Sequence, residues 1–335
     1  MEPKIKAISL LSGGLDSILA TRLIIEQGIE VEALNFTTVF CTCTSKNSSC
    51  LASQSAASQL GVPLKVVNIS KEYLDVVRSP KHGYGSNMNP CIDCRIFIFK
   101  KAKEYMQKQG ASFIITGEVV GERPMSQKKD MLRHIEKESG LDGLILRPLS
   151  AKLLEPSIAE KKGWVDRNKF LNISGRGRKP QIKLAADLNI KDYPCPAGGC
   201  LLTDPGFAKR IKDLIEHDGF TLENVNMLKV GRHFRVSRTL KVIVGRDETE
   251  NNRLLGMAKE DDTIFKTMRY PGPIVMSRGV LDNEQIGFVA SMAAKYSDTK
   301  ENPFVEVEYY KHPEEKRYVL NTAKCEQELL EKIRI

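Results

Sequence analysis

Residues Ser12-Gly13-Gly14-Leu15-Asp16-Ser17 lie between an apolar run, 5–11, and a segment of helical periodicity that stops at Gly28. A strand that runs into two glycines and then a helix makes an anion cradle. Glycine lets the backbone approach a phosphate, and the helix N-terminus offers N–H donors and a partial positive charge. The Ser12 and Ser17 hydroxyls add two donors. A plain Gly-Gly turn with a serine cap would have the same local shape, but the position directly after the first strand favours phosphate. Neither G-x-x-x-x-G-K-[ST] nor G-x-G-x-x-G occurs, so two other phosphate loops are excluded.

The second set of reactive residues is the eight cysteines: Cys41, Cys43, Cys50, Cys91, Cys94, Cys195, Cys200 and Cys325. The N-terminus has no signal-peptide pattern, so a cytoplasmic, reducing compartment is expected, where close cysteines read as metal ligands or catalytic thiols. Cys91 and Cys94 fall in "MNPCIDCRIF", just before an expected helix, and Cys195 and Cys200 in "CPAGGCLLTDPGF". Thiolates hold iron–sulfur clusters, usually four per cluster, and three would leave one iron open to an extra sulfide. Four thiolates also suit a structural zinc, although zinc usually closes short loops. Unligated buried thiols remain the third reading. Cys41, Cys43 and Cys50 suit a sulfur relay, a secondary metal site or bystanders.

The elements that must position these residues alternate. Strands are expected over 5–11, 31–36, 63–70, 111–119 and 143–149, and helices over 16–28, 51–61 and 97–110. That order predicts an α/β fold, a doubly wound parallel sheet over residues 1–165. Ligands of such sheets sit at the carboxyl ends of the strands. Thr116-Gly117-Glu118 ends the fourth strand at that edge, and Phe36 ends the second. A polar insert, 121–140, follows the fourth strand. A basic, cysteine-containing connecting segment is expected over 166–214, a smaller α+β domain over 215–312, and a tail over 313–335.

The chain has 335 residues, 41% hydrophobic and 28% charged, an ordinary globular profile. No apolar run approaches the roughly 18 residues of a membrane span, so no membrane partner is expected. The net charge of +9 points to a polyanion. Between residues 161 and 183 there are eight Lys/Arg against one acidic residue, Asp166. Arg176, Arg178 and Lys179 in that run are expected to meet phosphates.

The Ser12–Ser17 stretch resembles the PP-loop of the ATP pyrophosphatases, S-G-G-x-D-S. That family binds the pyrophosphate of ATP and adenylates a carbonyl or carboxylate oxygen. The resemblance implies that Ser12, Gly13, Gly14, Asp16 and Ser17 bind ATP with Mg²⁺, with Asp16 catalytic. It adds Thr116 and Gly117 to the nucleotide site, and Phe36 can pack on adenine. The insert 121–140 can then cover the ATP site. The cysteine layout is similar to that of the tRNA thiolating enzymes of this group, the 2-thiouridine synthetases and 4-thiouridine synthases. Cys91 stands where their N-P-D-x-x-C segment has aspartate, which favours an iron–sulfur-dependent variety. Cys91, Cys94, Cys195 and Cys200 are then the metal ligands, with Cys94 and Cys200 catalytic, holding a [4Fe-4S] cluster or, alternatively, zinc. Residues 230–255, "VGRHFRVSRTLKVIVGRDETENNRLL", resemble the NFACT-R type RNA-binding domain, with Asp247 where asparagine is usual.

Together these imply an ATP-dependent sulfurtransferase acting on RNA, chiefly a tRNA uridine flipped out of its stack. It would draw on a sulfur donor, whether sulfide, persulfide or a sulfur-carrier protein. A small-molecule PP-loop synthetase with zinc and a non-catalytic RNA-binding protein are the alternatives.

Overall fold

The computed structural model describes residues 5–41, 49–193, 200–217, 219–299 and 302–335. Cys43 and Cys195 lie outside the described residues. The chain divides into two compact units, Met1–Asp204 and Pro205–Ile335.

The first unit runs β1 (Lys6–Leu10), α1 (Leu15–Ile25), β2 (Glu30–Thr37), α2 (Ser49–Leu60), β3 (Leu64–Asn68), α3 (Ser70–Arg78), α4 (Cys91–Lys108), β4 (Phe113–Thr116), α5 (Lys129–Ser139), β5 (Ile145–Leu146), α6 (Ile158–Lys161) and α7 (Lys179–Asp187). Its five strands are parallel, in the order β3-β2-β1-β4-β5. Successive residues of a strand point to opposite faces. Ala7, Phe113 and Ile115 therefore enter one core with Leu15, Ile18 and Leu19 of α1. Ile8 and Ile114 enter the other, with Ile96, Phe99 and Met106 of α4. Both faces are covered, which is why these strands are continuous apolar runs. The sheet grows from β1 in both directions, through β2 on one side and β4 on the other. The crevice at the carboxyl ends of β1 and β4 is the topological switch point.

Three expectations about local structure are corrected. The fourth helix begins at Cys91 rather than Phe97, so Cys91 and Cys94 lie within its first turn. Ile92, Ile96, Phe99, Ala102 and Met106 form its buried stripe, and the first turn carries too few apolar residues to announce it. The expected strand 143–149 shrinks to Ile145–Leu146, because Ser150 N–H donates to the Arg147 carbonyl and turns the chain. The basic run that holds Arg176, Arg178 and Lys179, where no helix was expected, continues into α7, with Pro180 in its first turn, where a missing N–H costs nothing.

The second unit runs α8 (Pro205–Glu216), α9 (Leu222–Met227), β6 (Arg232–Arg235), β7 (Lys241–Val244), α10 (Glu248–Met257), β8 (Thr263–Thr267), β9 (Val275–Arg278), α11 (Asn283–Lys295), β10 (Phe304–Lys311), β11 (Tyr318–Ala323) and α12 (Gln327–Ile333). Its six-stranded sheet, β11-β10-β8-β9-β7-β6, is antiparallel. Val289, Met292 and Ala293 of α11 fill one face of it, and Met227, Leu254 and Ile243 the other. Residues 313–335, set apart in the sequence as a tail, contribute β11 and α12 to this unit. Asp247 caps α10 by accepting the Glu250 N–H at 2.9 Å, a role that aspartate and asparagine share.

Candidate functional site

Leu11 N–H extends the β1 ladder onto the Leu34 carbonyl at 3.0 Å, and the Asn35 amide donates to the Leu11 carbonyl at 2.8 Å. The loop that follows is thus anchored on β2. Gly13 has φ +84°, and a Cβ there would lie 2.5 Å from the Ala52 backbone, so only glycine fits. Gly14 caps α1 in extended conformation. Its carbonyl accepts from the Ser17 N–H at 3.1 Å and from the Ser17 hydroxyl at 2.8 Å. Ser12 and Ser17 hydroxyls lie 3.2 Å apart across the turn. The first-turn N–H groups of α1 open into the crevice with these hydroxyls beside them. At the end of β4, a Cβ on Gly117 would lie 2.5 Å from the backbone of Asp16 and Ser17. Glycine there lets β4 close against the start of α1.

One cavity of about 460 Å³ is lined by Ser12, Gly14, Asp16, Ser17, Phe36, Thr116 and Gly117, and also by Cys91, Cys94 and Cys200. The phosphate loop, the expected adenine neighbour and three thiols therefore share one space. Cys195 is outside the described residues.

The charges in this cavity are arranged in pairs. Burial raises the Asp16 carboxyl above its usual range, and the Arg178 guanidinium, 3.5 Å away, opposes that shift. Arg178 was expected to face RNA; instead it turns into the cavity, carried there by the start of α7. Glu122, from the insert, is raised by burial and by the nearby Asp16 charge. Two carboxylates that repel each other beside a phosphate loop are suited to a shared Mg²⁺. Arg95, on α4, pairs at 3.0 Å with buried Glu118, which also holds the buried Arg147 at 3.0 Å. The residue Glu118 thus aims Arg95 at the cavity. Sequence reading missed Arg95, Glu122 and Arg123, because no motif marks them and only the fold brings the insert to the crevice.

Burial holds the Cys91 and Cys94 thiols above their ordinary range and pushes Cys200 up to about 12. As free thiols they are protonated at neutral pH, and binding a metal must release those protons. Arg95 and Arg123 oppose the shift and favour thiolate. The Tyr73 hydroxyl, buried, faces Cys94, with Cys200 and Cys41 within electrostatic reach. Cys41 thereby joins the group as a fourth thiol. Among the described residues, no three of these sulfurs lie within 4.8 Å of one another. A tetrahedral zinc with Zn–S of about 2.3 Å holds its thiolates within about 4 Å. A four-iron cube, bound at separate corners, holds its thiolates further apart.

In the second unit most of the basic residues within 230–255 are neutralised internally. Asp213 accepts from Arg235 at 2.7 Å through both oxygens and from Lys241 at 2.8 Å. Arg246 pairs with Glu250. Arg232 stacks over the Tyr296 ring, 5.1 Å from its centroid. Arg238 lines a cavity of about 390 Å³ with His217 and His233.

Residues 4–155 match the family described as thiamine biosynthesis protein (ThiI), and residues 231–334 the NFACT protein RNA binding domain. By these matches the first unit is similar to a ThiI-type domain and the second to an NFACT-type RNA-binding domain. The chain is related to proteins named tRNA-specific 2-thiouridylase MnmA. That of Pseudomonas putida (strain GB-1) is 30% identical, covering 69% of this chain and 61% of the relative. That of Streptococcus uberis is 24% identical over 91% of this chain and 87% of the relative. The chain spans 60% of the length of the Stutzerimonas stutzeri relative, at 25% identity. Among solved structures, a 4-thiouridine synthetase–RNA complex with bound ATP is 21% identical, with a TM-score of 0.37, covering 66% of this chain and 53% of that one. The U34-tRNA thiolase NcsA from Methanococcus maripaludis, with its [4Fe-4S] cluster, is 19% identical, with a TM-score of 0.31, covering 67% and 70%. Among the described residues no helix is long and apolar enough to cross a membrane.

Proposed function

We propose that this protein is a cytoplasmic, ATP-dependent tRNA uridine sulfurtransferase. The observation that carries the reading is the single cavity shared by the phosphate loop and three thiols. The names of the relatives, tRNA-specific 2-thiouridylases, agree with it.

In this reading the Ser12–Ser17 loop and the start of α1 hold the β- and γ-phosphates of ATP. Asp16 and Glu122 share Mg²⁺, Phe36 packs on adenine, and Thr116 and Gly117 shape the wall behind the loop. The uridine carbonyl oxygen attacks the α-phosphorus and pyrophosphate leaves. Sulfur from the donor then attacks the activated carbon, and AMP leaves with the former carbonyl oxygen. Arg178 and Arg123 offset the phosphate charge. Cys91, Cys94 and Cys200 would hold a [4Fe-4S] cluster through three of its irons, leaving Cys41 or Cys195 as a sulfur carrier. Such a group supplies an iron site at which sulfide can be bound.

The test is purification under anaerobic conditions, followed by metal analysis and an ATP assay with and without tRNA. The expected result is about four iron per chain, with AMP and pyrophosphate formed only when tRNA is present. A zinc-loaded chain that forms AMP from ATP with a small carboxylic acid and ignores tRNA would establish the small-molecule alternative. Removal of residues 205–335 should weaken tRNA binding and flatten its salt dependence, because fewer phosphates are neutralised.

A further inference from the structure

Outside that cavity, one cluster of metal-ligating side chains has no part in the reading above. We propose that His82, His134 and Glu138 form a binding site for a divalent transition-metal ion of the zinc class. Among the described residues they are the one group of three His, Cys, Asp or Glu donors whose ligand atoms all lie within 4.8 Å of one another. None of the three lines the cavity of the phosphate loop.

His134 and Glu138 are spaced i,i+4 on α5, so they share one helix face. His82 comes from the segment between α3 and α4. Its Nε2 lies 2.9 Å from Nε2 of His134, and Oε1 of Glu138 lies 3.8 Å from the first nitrogen and 3.5 Å from the second. A tetrahedral zinc with bonds of about 2.0–2.1 Å holds its nitrogen and oxygen donors about 3.4 Å apart. The observed triangle, 2.9–3.8 Å on its sides, brackets that spacing and leaves the fourth position open to water.

Asp93 supplies an independent observation. Its carboxylate lies 2.9 Å from Nδ1 of His82 and accepts the His82 backbone N–H at 2.9 Å. A carboxylate on one ring nitrogen keeps the proton there and turns the other lone pair outward, the arrangement that orients metal-bound histidines. Here that lone pair faces His134. The competing charge is Lys81, whose ammonium lies 2.5 Å from Oε1 of Glu138. Its side chain is 69% exposed and can withdraw to water. Two imidazoles and one carboxylate suit zinc, nickel or copper, whereas magnesium and calcium favour all-oxygen sets. An ion here fastens the segment before α4 to α5, next to the turn that carries Cys91 and Cys94.

Zinc titration of the metal-free full-length chain tests the site, with the thiols separated from it by substitution. The C91S/C94S/C200S variant should still bind one zinc by calorimetry. Adding His134→Gln or His82→Gln should weaken that binding at least tenfold, and Asp93→Asn should weaken it by about tenfold or more. In the unsubstituted chain, either histidine substitution should remove one zinc equivalent from the total. Absence of a saturable site in the cysteine variant, or a zinc count that neither histidine substitution changes in either background, overturns the proposal. Because no thiol is needed, iron loading by the cysteines can fail while this site stands, and the reverse.

Discussion

The guanidinium of Arg178 sits 3.5 Å from the carboxylate of Asp16, joining the basic run of the sequence to its phosphate loop. The two residues are far apart in the chain: Arg178 directly precedes α7, and Asp16 lies in the first turn of α1. The Asp16 Oδ1 and Arg178 Nε atoms are buried and lack hydrogen-bond partners. A bound polyanion with its cation would satisfy both.

Arg178→Gln should therefore act on ATP before it acts on RNA. Loss of a charge-assisted hydrogen bond is worth about 1.5–3 kcal/mol, or roughly tenfold to a hundredfold in affinity. A nucleotide titration measures this. If ATP binds as before while tRNA affinity drops, Arg178 belongs to the RNA surface after all.

Gly117→Ala puts a Cβ 2.5 Å from the backbone at Asp16 and Ser17. Backbone cannot give way as a side chain tip can, so overpacking should cost about 1–3 kcal/mol. The expected outcome is a lower melting temperature and nucleotide binding lost beyond what the melting shift explains. Gly28→Ala is the control, because its Cβ would meet nothing within 4 Å; there the cost comes from its positive φ alone.

Single Cys91→Ala, Cys94→Ala and Cys200→Ala variants should each lose iron after anaerobic reconstitution and keep ATP affinity within about twofold, since phosphate donors and thiols come from different elements. Cys41→Ala separates a ligand from a sulfur carrier. Full iron content in the first three would end the cluster assignment.

The second unit carries an acid-sensitive charge cluster. Burial works against the Asp213 charge, but Arg235 and Lys241 overcome it and hold the carboxyl at about 2. Its unfolded value is about 3.9, so the stabilisation is complete above pH 4 and is lost as pH falls from about 4 to about 2, some 2–3 kcal/mol in all. Burial lowers Lys241 to about 8, against Asp213. The unfolded chain then binds more protons between about pH 8 and 10, so stability rises across that window. The sole tryptophan, Trp164, is in the first unit and does not report on this. Hydrogen exchange of the β6–β7 amides across pH does, and Asp213→Asn should flatten the acid limb.

The phosphate loop was legible in the sequence because its parts are consecutive: strand, two glycines, helix start and serines are specified within one turn. The parallel order of strands was legible because a strand–helix alternation leaves few right-handed arrangements. The start of α4 was not, since Cys91 and Cys94 interrupt the apolar stripe that marks a helix. The partners of the loop were not legible either. Arg178, Glu122 and Arg95 come from three separate segments, and their meeting depends on how α4, the insert and α7 pack around β1 and β4. The basic residues of the second unit show the same limit. Sequence counts Arg235, Lys241 and Arg246 as free positive charge, while the packing of α8 and α10 sets Asp213 and Glu250 against them. Local chemistry follows from neighbours in the chain, but which charges remain to meet a ligand is decided by contacts that only the folded sheets create.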